Sequence, residues 1–237
     1  MFRHAVRNDL SIYNTQASGW WDPASLAFRS LQSITVFRLE QLLSWVGDIE
    51  GKVVVDIGCG GGLMSVPLAQ RGAQVTGFDL SEPSLAEARR HAPAGAVFIA
   101  ADARSIPFPD NSADIVILAD ILDHIADYDV VFAEVARILR PDGYLYVNTI
   151  NRTWQSWLLA YQIGEMVRLI PPGTHDFSLF IKPSELLEVA EQNHFTVCAW
   201  QGEAPSILRT AMKWAIVFRK TASLAVAYSA LFKRRER

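Results

Sequence analysis

The sequence predicts an α/β domain built on a doubly wound, mostly parallel sheet with helices on both faces. Three observations carry this. Strand-like and helix-like segments alternate from Gly51 to Ile150. The strand "VVVDIG" runs straight into a glycine cluster, Gly58, Gly60 and Gly62. Half of the 237 residues are apolar, enough for one large core.

Taken in order, Leu26–Val46 reads as one or two amphipathic helices. "KVVVDIG" is a buried first strand, and "LMSVPLAQRG" is a helix ended by Gly72. "AQVTGFDLS" is the second strand, and "EPSLAEARRHA" a helix with Ser81 as N-cap. "AVFIAADA" and "ADIVILAD" are the third and fourth strands, "DVVFAEVARILR" a helix stopped by "PDG", and "GYLYVNTI" the fifth strand. A long apolar helical stretch, a "PPGTHDF" loop and a helix from Ser184 follow. The expected segments are 1–46, helices covering the site; 47–152, the core; 153–205, helices and a loop on the substrate side; and 206–237, a basic amphipathic end.

Bulk features narrow the classes. The net charge of −3 gives no sign of nucleic-acid binding. Cys59 and Cys198 are the only cysteines, so a disulfide framework is not expected and a reducing compartment is. "MFRHAVRNDL" lacks the apolar run of a signal peptide, and no stretch is apolar for long enough to span a bilayer. From Leu208 to Arg237, eight basic residues face one acid, Glu236, so the rest of the chain is acidic. Ile207, Ala211, Trp214 and Phe218 fall on one helical face, with Arg209, Lys213 and Lys220 opposite, and the pattern continues through Ala225–Phe232 into "KRRER". This predicts either an interfacial helix on an anionic membrane or a helix covering the sheet with a solvated basic end.

The glycine loop identifies a cofactor class. A dinucleotide fingerprint needs glycine at 63, where Leu63 stands; the pattern is instead D-x-G-x-G-x-G led by Asp56. Asp79 ends the second strand, 23 residues on, where an acid accepts both ribose hydroxyls of an adenosine. Asp102, after the third strand, is placed for an adenine amino group. An acidic loop disfavours polyphosphate and suits a cation, and S-adenosylmethionine (SAM) carries a sulfonium and an ammonium and no phosphate.

With "VVVDIGCGGG", "VTGFDLS", "ADARSIPFPD" and "RILRPDGYLYV", the chain resembles class I SAM-dependent methyltransferases, which implies their Rossmann-like fold. "GWWDP", "NTINRTWQSWLLA" and "PPGTHDFSLFIKPSEL" look like the ubiquinone-biosynthesis O-methyltransferases, which methylate hydroxyls on a polyprenylated aromatic ring. The resemblance implies SAM contacts from Arg38, Gly58 and Asp79 and at Ala119. With the loop reading, the cofactor set is Arg38, Asp56, Gly58, Gly60, Gly62, Asp79, Leu80, Asp102, Ala103 and Ala119. That family usually ends in antiparallel strands, whereas this chain reads as ending in the basic tail.

"ADILDHI", at the end of the fourth strand, places Asp120, Asp123 and His124 at i, i+3 and i+4, one face if helical. The resemblance implies that these three hold a divalent metal, Mg²⁺ or else Zn²⁺ or Mn²⁺. The alternative is that Asp120 lines the methionine end of SAM while Asp123 and His124 cap the next helix. His124 and His175 are candidate bases for deprotonating a phenol, with Asp120 beside them. In "SWLLAYQIGEMVRLI", Leu159, Ile163, Met166, Val167 and Ile170 form one apolar face, of either a membrane-facing helix or a lid. The expected partners are a lipid-soluble aromatic substrate, an anionic membrane surface and other quinone-pathway enzymes. The expected location is cytoplasmic, peripheral on the inner face of the membrane. A methyltransferase for another small or lipidic molecule and a non-catalytic SAM-binding scaffold are the alternatives.

Overall fold

A computed structural model describes residues 8–236. One long helix, α1 (Arg29–Val46), precedes the sheet and is closed by Gly47 at φ 74°. The strands are β1 (Val53–Ile57), β2 (Gln74–Asp79), β3 (Val97–Ala100), β4 (Ala113–Ala119), β5 (Leu139–Ile150), β6 (Phe195–Pro205), β7 (Phe218–Thr221) and β8 (Ala227–Arg234). Between and after them run α2 (Ser65–Ala69), α3 (Glu82–His91), α4 (Tyr128–Ile138), α5 (Pro183–Gln192) and α6 (Ile207–Lys213). Ser81 caps α3 as expected, its Oγ accepting from the Ser84 N–H.

All eight strands form a single sheet in the order β3-β2-β1-β4-β5-β8-β6-β7. β1 to β5 pair in parallel, and β8 is antiparallel to both β5 and β6. The central strands are buried on both faces, which is why they read as unbroken apolar runs. The core on one face is built around Phe78, Phe132, Phe195, Tyr228 and Phe232, and a second cluster packs under Leu39 and Leu42 of α1.

Two expectations are corrected. The basic end is no continuous amphipathic helix: α6 is seven residues long, and Ala227–Arg234 is a strand in the sheet interior. The period-2 alternation of a strand and the period of a helix are hard to separate in a run as apolar as "LAVAYSALF", and pairing on both sides decides it. Residues 154–170 also form no single helix. The backbone passes through a π-helical turn at Trp157–Ile163 and a short helical turn ending at Met166. Leu159 and Ile170 of the expected apolar face line a pocket, whereas Met166 is exposed; the Ile163 side chain lies outside the described residues. Cys59 and Cys198 are both free thiols. Among the described residues no helix is long and apolar enough to cross a membrane.

Candidate active site

The carboxyl ends of β1, β2 and β4 open into a cleft of about 390 Å³, as expected of a parallel open sheet. Arg38, Asp56, Gly58, Gly60, Asp79, Leu80, Asp102, Ala103, Ala119 and Asp120 all line it. Gly62 does not; it stands behind the loop at φ 79° against Ala88.

The glycine loop is braced from below. Asp79 Oδ2 accepts the Gly60 N–H at 2.8 Å and its Oδ1 accepts the Ser81 N–H at 2.8 Å. Burial pushes the Asp79 carboxyl up, against these backbone donors. Asp56 lies under the loop, 1% exposed, and takes a hydrogen bond from Ser65 Oγ. Its carboxyl is raised to about 7 by burial. At the rim, Leu80 is open to solvent, and Arg104 grips Asp102 through Nε at 2.9 Å, holding its carboxyl down at about 2.

The N-terminal segment forms the lid of this loop. Trp20 lies against Gly60 and Gly61, where a Cβ on Gly60 would come within 2.6 Å of its ring. Its Nε1 donates to Ser84 Oγ at 2.8 Å, and its ring stacks on Phe28 with centroids 4.2 Å apart. Trp21 Nε1 donates to the Gly61 carbonyl at 2.8 Å. The tryptophans were legible only as a motif, and their place over the glycine loop was not.

Beyond the cleft lies a mostly apolar pocket of about 100 Å³. Tyr13, Leu31, Arg38, Asp120 and His124 line both spaces, so the two share a wall. His175, Phe28, Ile34, Leu159, Ile170, Ile216 and Phe218 complete the apolar side. Arg38, 2% exposed, stands in the shared wall. It pairs with Asp120, and its Nε donates to Glu203 Oε2 at 3.1 Å. Glu203 takes a further bond from Ser229 Oγ, itself 3.1 Å from the Tyr146 hydroxyl. Glu203 is fully buried and was missed in the sequence, because its partner is 165 positions away.

The expected ligand trio of Asp120, Asp123 and His124 is not assembled. At Asp120 the chain turns through φ 53° and continues into a 3₁₀ turn, Leu122–His124, so α-helical spacing does not apply. Asp120 is committed to Arg38 instead. The structure brings together Asp123, His124 and His175, with candidate ligand atoms within 4.8 Å of one another. Asp123 Oδ2 is 3.4 Å from His175 Nε2 and 3.9 Å from His124 Nε2. Asp123 is 1% exposed and neither carboxylate oxygen has a hydrogen-bond partner. His124 Nδ1 is taken by Asn8 Oδ1 at 2.8 Å, which leaves its Nε2 toward Asp123. Burial opposes charge on Asp123, but the two imidazoles hold its carboxyl low; burial also lowers His124, to about 4. One buried carboxylate with unsatisfied oxygens and two imidazoles fit a divalent ion, in a set better suited to Zn²⁺ or Mn²⁺ than to Mg²⁺.

Residues 55–147 match the family described as "Methyltransferase domain". The fold is shared with magnesium protoporphyrin IX methyltransferase from Synechocystis PCC 6803 with bound SAH (TM-score 0.67, 20% identity, 94% of this chain and 97% of that one). It is shared also with the putative methyltransferase solved in complex with the Haloferax volcanii Trm112 methyltransferase activator (TM-score 0.68, 20% identity, 98% of each chain). The cleft, its glycine loop and this match define a SAM-dependent methyltransferase. The ubiquinone biosynthesis O-methyltransferase of Bordetella avium is 39% identical over 191 residues, 78% of each chain. That of Leptothrix cholodnii is 38% identical over 192, 78% of this chain and 81% of its own. The chain therefore belongs to the ubiquinone biosynthesis O-methyltransferase family.

Proposed function

We propose that the enzyme transfers the SAM methyl group to a phenolic hydroxyl of a polyprenylated ubiquinone precursor, which it meets at a membrane surface. The observation that carries this is the apolar pocket sharing a wall with the cofactor cleft and bearing two histidines, His124 and His175. SAM lies in the cleft, its ribose over Asp79, its adenine between Leu80 and the Asp102–Ala103 turn, and its methionine end toward Arg38, Ala119 and Asp120. The phenolic ring enters the apolar pocket. At about 100 Å³ that pocket is small for a substituted ring, so the Leu159–Ile170 segment shifts outward to admit it.

The transfer is an in-line displacement, and alignment of oxygen, methyl and sulfur contributes about 7–11 kcal/mol. A phenol of pKa about 10 must lose its proton. The Asp123 carboxylate, its Oδ2 3.4 Å from His175 Nε2, favours the Nε2–H tautomer and leaves Nδ1, buried and without a hydrogen-bond partner, to take that proton. Asp120, tied to Arg38, keeps a negative charge near the sulfonium. A divalent ion held by Asp123, His124 and His175 would take the place of His175 as base and would polarise the phenol oxygen as a Lewis acid.

The test is SAM turnover against polyprenyl catechols and simple phenols, with and without chelator. Selective turnover of prenylated catechols is the expected result. Equal rates on unprenylated phenols, or no turnover on any catechol while SAM still binds, would overturn the reading.

A further inference from the structure

We propose that Asn8 is a positioning residue for His124: its amide commits the imidazole to the Nδ1–H tautomer and turns a bare Nε2 lone pair into the space beside Asp123 and His175. The use made of that lone pair rests on the preceding reading; the tautomer does not.

Asn8 makes two bonds to a residue 116 positions away. Its Nδ2 donates to the His124 carbonyl at 3.1 Å, and its Oδ1 lies 2.8 Å from His124 Nδ1. The carbonyl decides the sense of the amide, because a backbone oxygen only accepts and so must face the NH₂. Oδ1 is left facing the ring nitrogen, and an oxygen there requires Nδ1 to carry the hydrogen. Burial keeps the ring neutral, with one hydrogen to place. Nε2 is therefore bare.

Without this amide the opposite tautomer is favoured. Asp123 Oδ2 is 3.9 Å from Nε2, buried, and has no hydrogen-bond partner, so an unguided imidazole turns its N–H toward the carboxylate. Packing does not choose between the two. His175 stacks on His124 with centroids 5.3 Å apart, and Tyr13 meets it edge-on at 6.4 Å. These contacts set the plane of the ring but not which nitrogen holds the hydrogen.

The next residue secures the other histidine. The Asp9 N–H donates to the Gly173 carbonyl at 3.0 Å, two positions before His175. Consecutive residues of the N-terminal segment thus hold both histidine-bearing segments. Asn8 does so at φ 59°, a left-handed conformation that asparagine adopts more readily than most non-glycine residues. His124 lines the substrate pocket, so the lone pair receives the hydrogen of a catechol hydroxyl or a divalent ion, two roles that an N–H cannot fill.

The test compares full-length wild type with Asn8→Gly and Asn8→Asp. Glycine removes the amide and tolerates the left-handed backbone; aspartate keeps an oxygen for Nδ1–H but loses the bond to the carbonyl. Long-range nitrogen–proton NMR correlations at neutral pH tell a protonated ring nitrogen from a bare one, with the His124 signals identified by their absence in His124→Gln. Wild type and Asn8→Asp should show a protonated Nδ1 and a bare Nε2, and Asn8→Gly a protonated Nε2. Asn8→Gly should lower kcat about 10- to 100-fold with SAM affinity within about twofold, and Asn8→Asp should keep most of the wild-type rate. A drop that persists with chelator assigns the lone pair to the substrate hydroxyl, and one that vanishes with chelator assigns it to the ion; both sustain the positioning role. Nε2–H on His124 in wild type, an unchanged tautomer in Asn8→Gly, or equal loss of kcat in the two variants would each overturn it. The expected tautomers with no methylation of any catechol would sustain the role of Asn8 and sink the substrate reading.

Discussion

Arg38, from the helix that precedes the sheet, donates through Nε to Glu203 on β6 at 3.1 Å, with both side chains buried. This pair ties the two ends of the fold together in the wall between cleft and pocket. Removing one partner of a buried pair leaves the other uncompensated, at a cost of about 3–5 kcal/mol. Arg38→Met should lower the unfolding free energy by that amount in urea titration. Adding Glu203→Leu should recover most of it, since Asp120 keeps 28% of its side chain exposed and can be hydrated. No recovery in the double variant would mean that the pair is incidental.

Asp79 holds the glycine loop through the Gly60 N–H and also faces the cleft. Hydrogen bonds to a charged group contribute about 1.5–3 kcal/mol. Asp79→Ala should therefore raise the SAM dissociation constant about 10- to 150-fold by titration calorimetry. An unchanged constant would remove Asp79 from the cofactor site.

His175→Ala should leave SAM affinity within about twofold while lowering kcat by about 10²- to 10⁴-fold, the range for loss of a general base. Asp123→Asn, which alters the partner of Nε2, should shift the pH–rate profile as well as the rate. If turnover in His175→Ala matches wild type, another group takes the proton.

Asp56 gives a pH signature. Its carboxyl is raised from 3.8 to about 7 by burial, so the native state holds a proton that the unfolded chain releases. Its stabilisation is complete below 3.8 and is lost as pH rises to about 7. The fall in thermal midpoint from about pH 5 to about pH 8 should be smaller in Asp56→Asn than in wild type. Parallel curves for the two proteins would refute the proton at Asp56.

The parallel half of the fold was legible because its signals are local: apolar strands, a capping serine, and glycine at turns. The cofactor cleft followed from Asp56, Asp79 and the loop between them, within 24 residues of sequence. The trio at "ADILDHI", which the resemblance implied as a ligand set, shares no helical face, because the backbone makes a left-handed turn at Asp120 and groups Asp123 and His124 with His175. His175 was noticed as a base but not as the neighbour of Asp123, since only the tertiary fold brings the 175 loop onto the 3₁₀ turn. Glu203 carried no signal at all: an acid in a half-apolar strand gives no hint of a buried arginine.

The place of β8 has a consequence for the order in which the protein assembles. β6 reaches the main sheet only through β8, which inserts between it and β5. During synthesis β6 and β7 emerge first and have only each other to pair with, while the edge of β5 stays open. The nascent chain therefore carries an unfilled slot until Ala227–Arg234 leaves the ribosome, and losing that short segment would unseat two further strands with it.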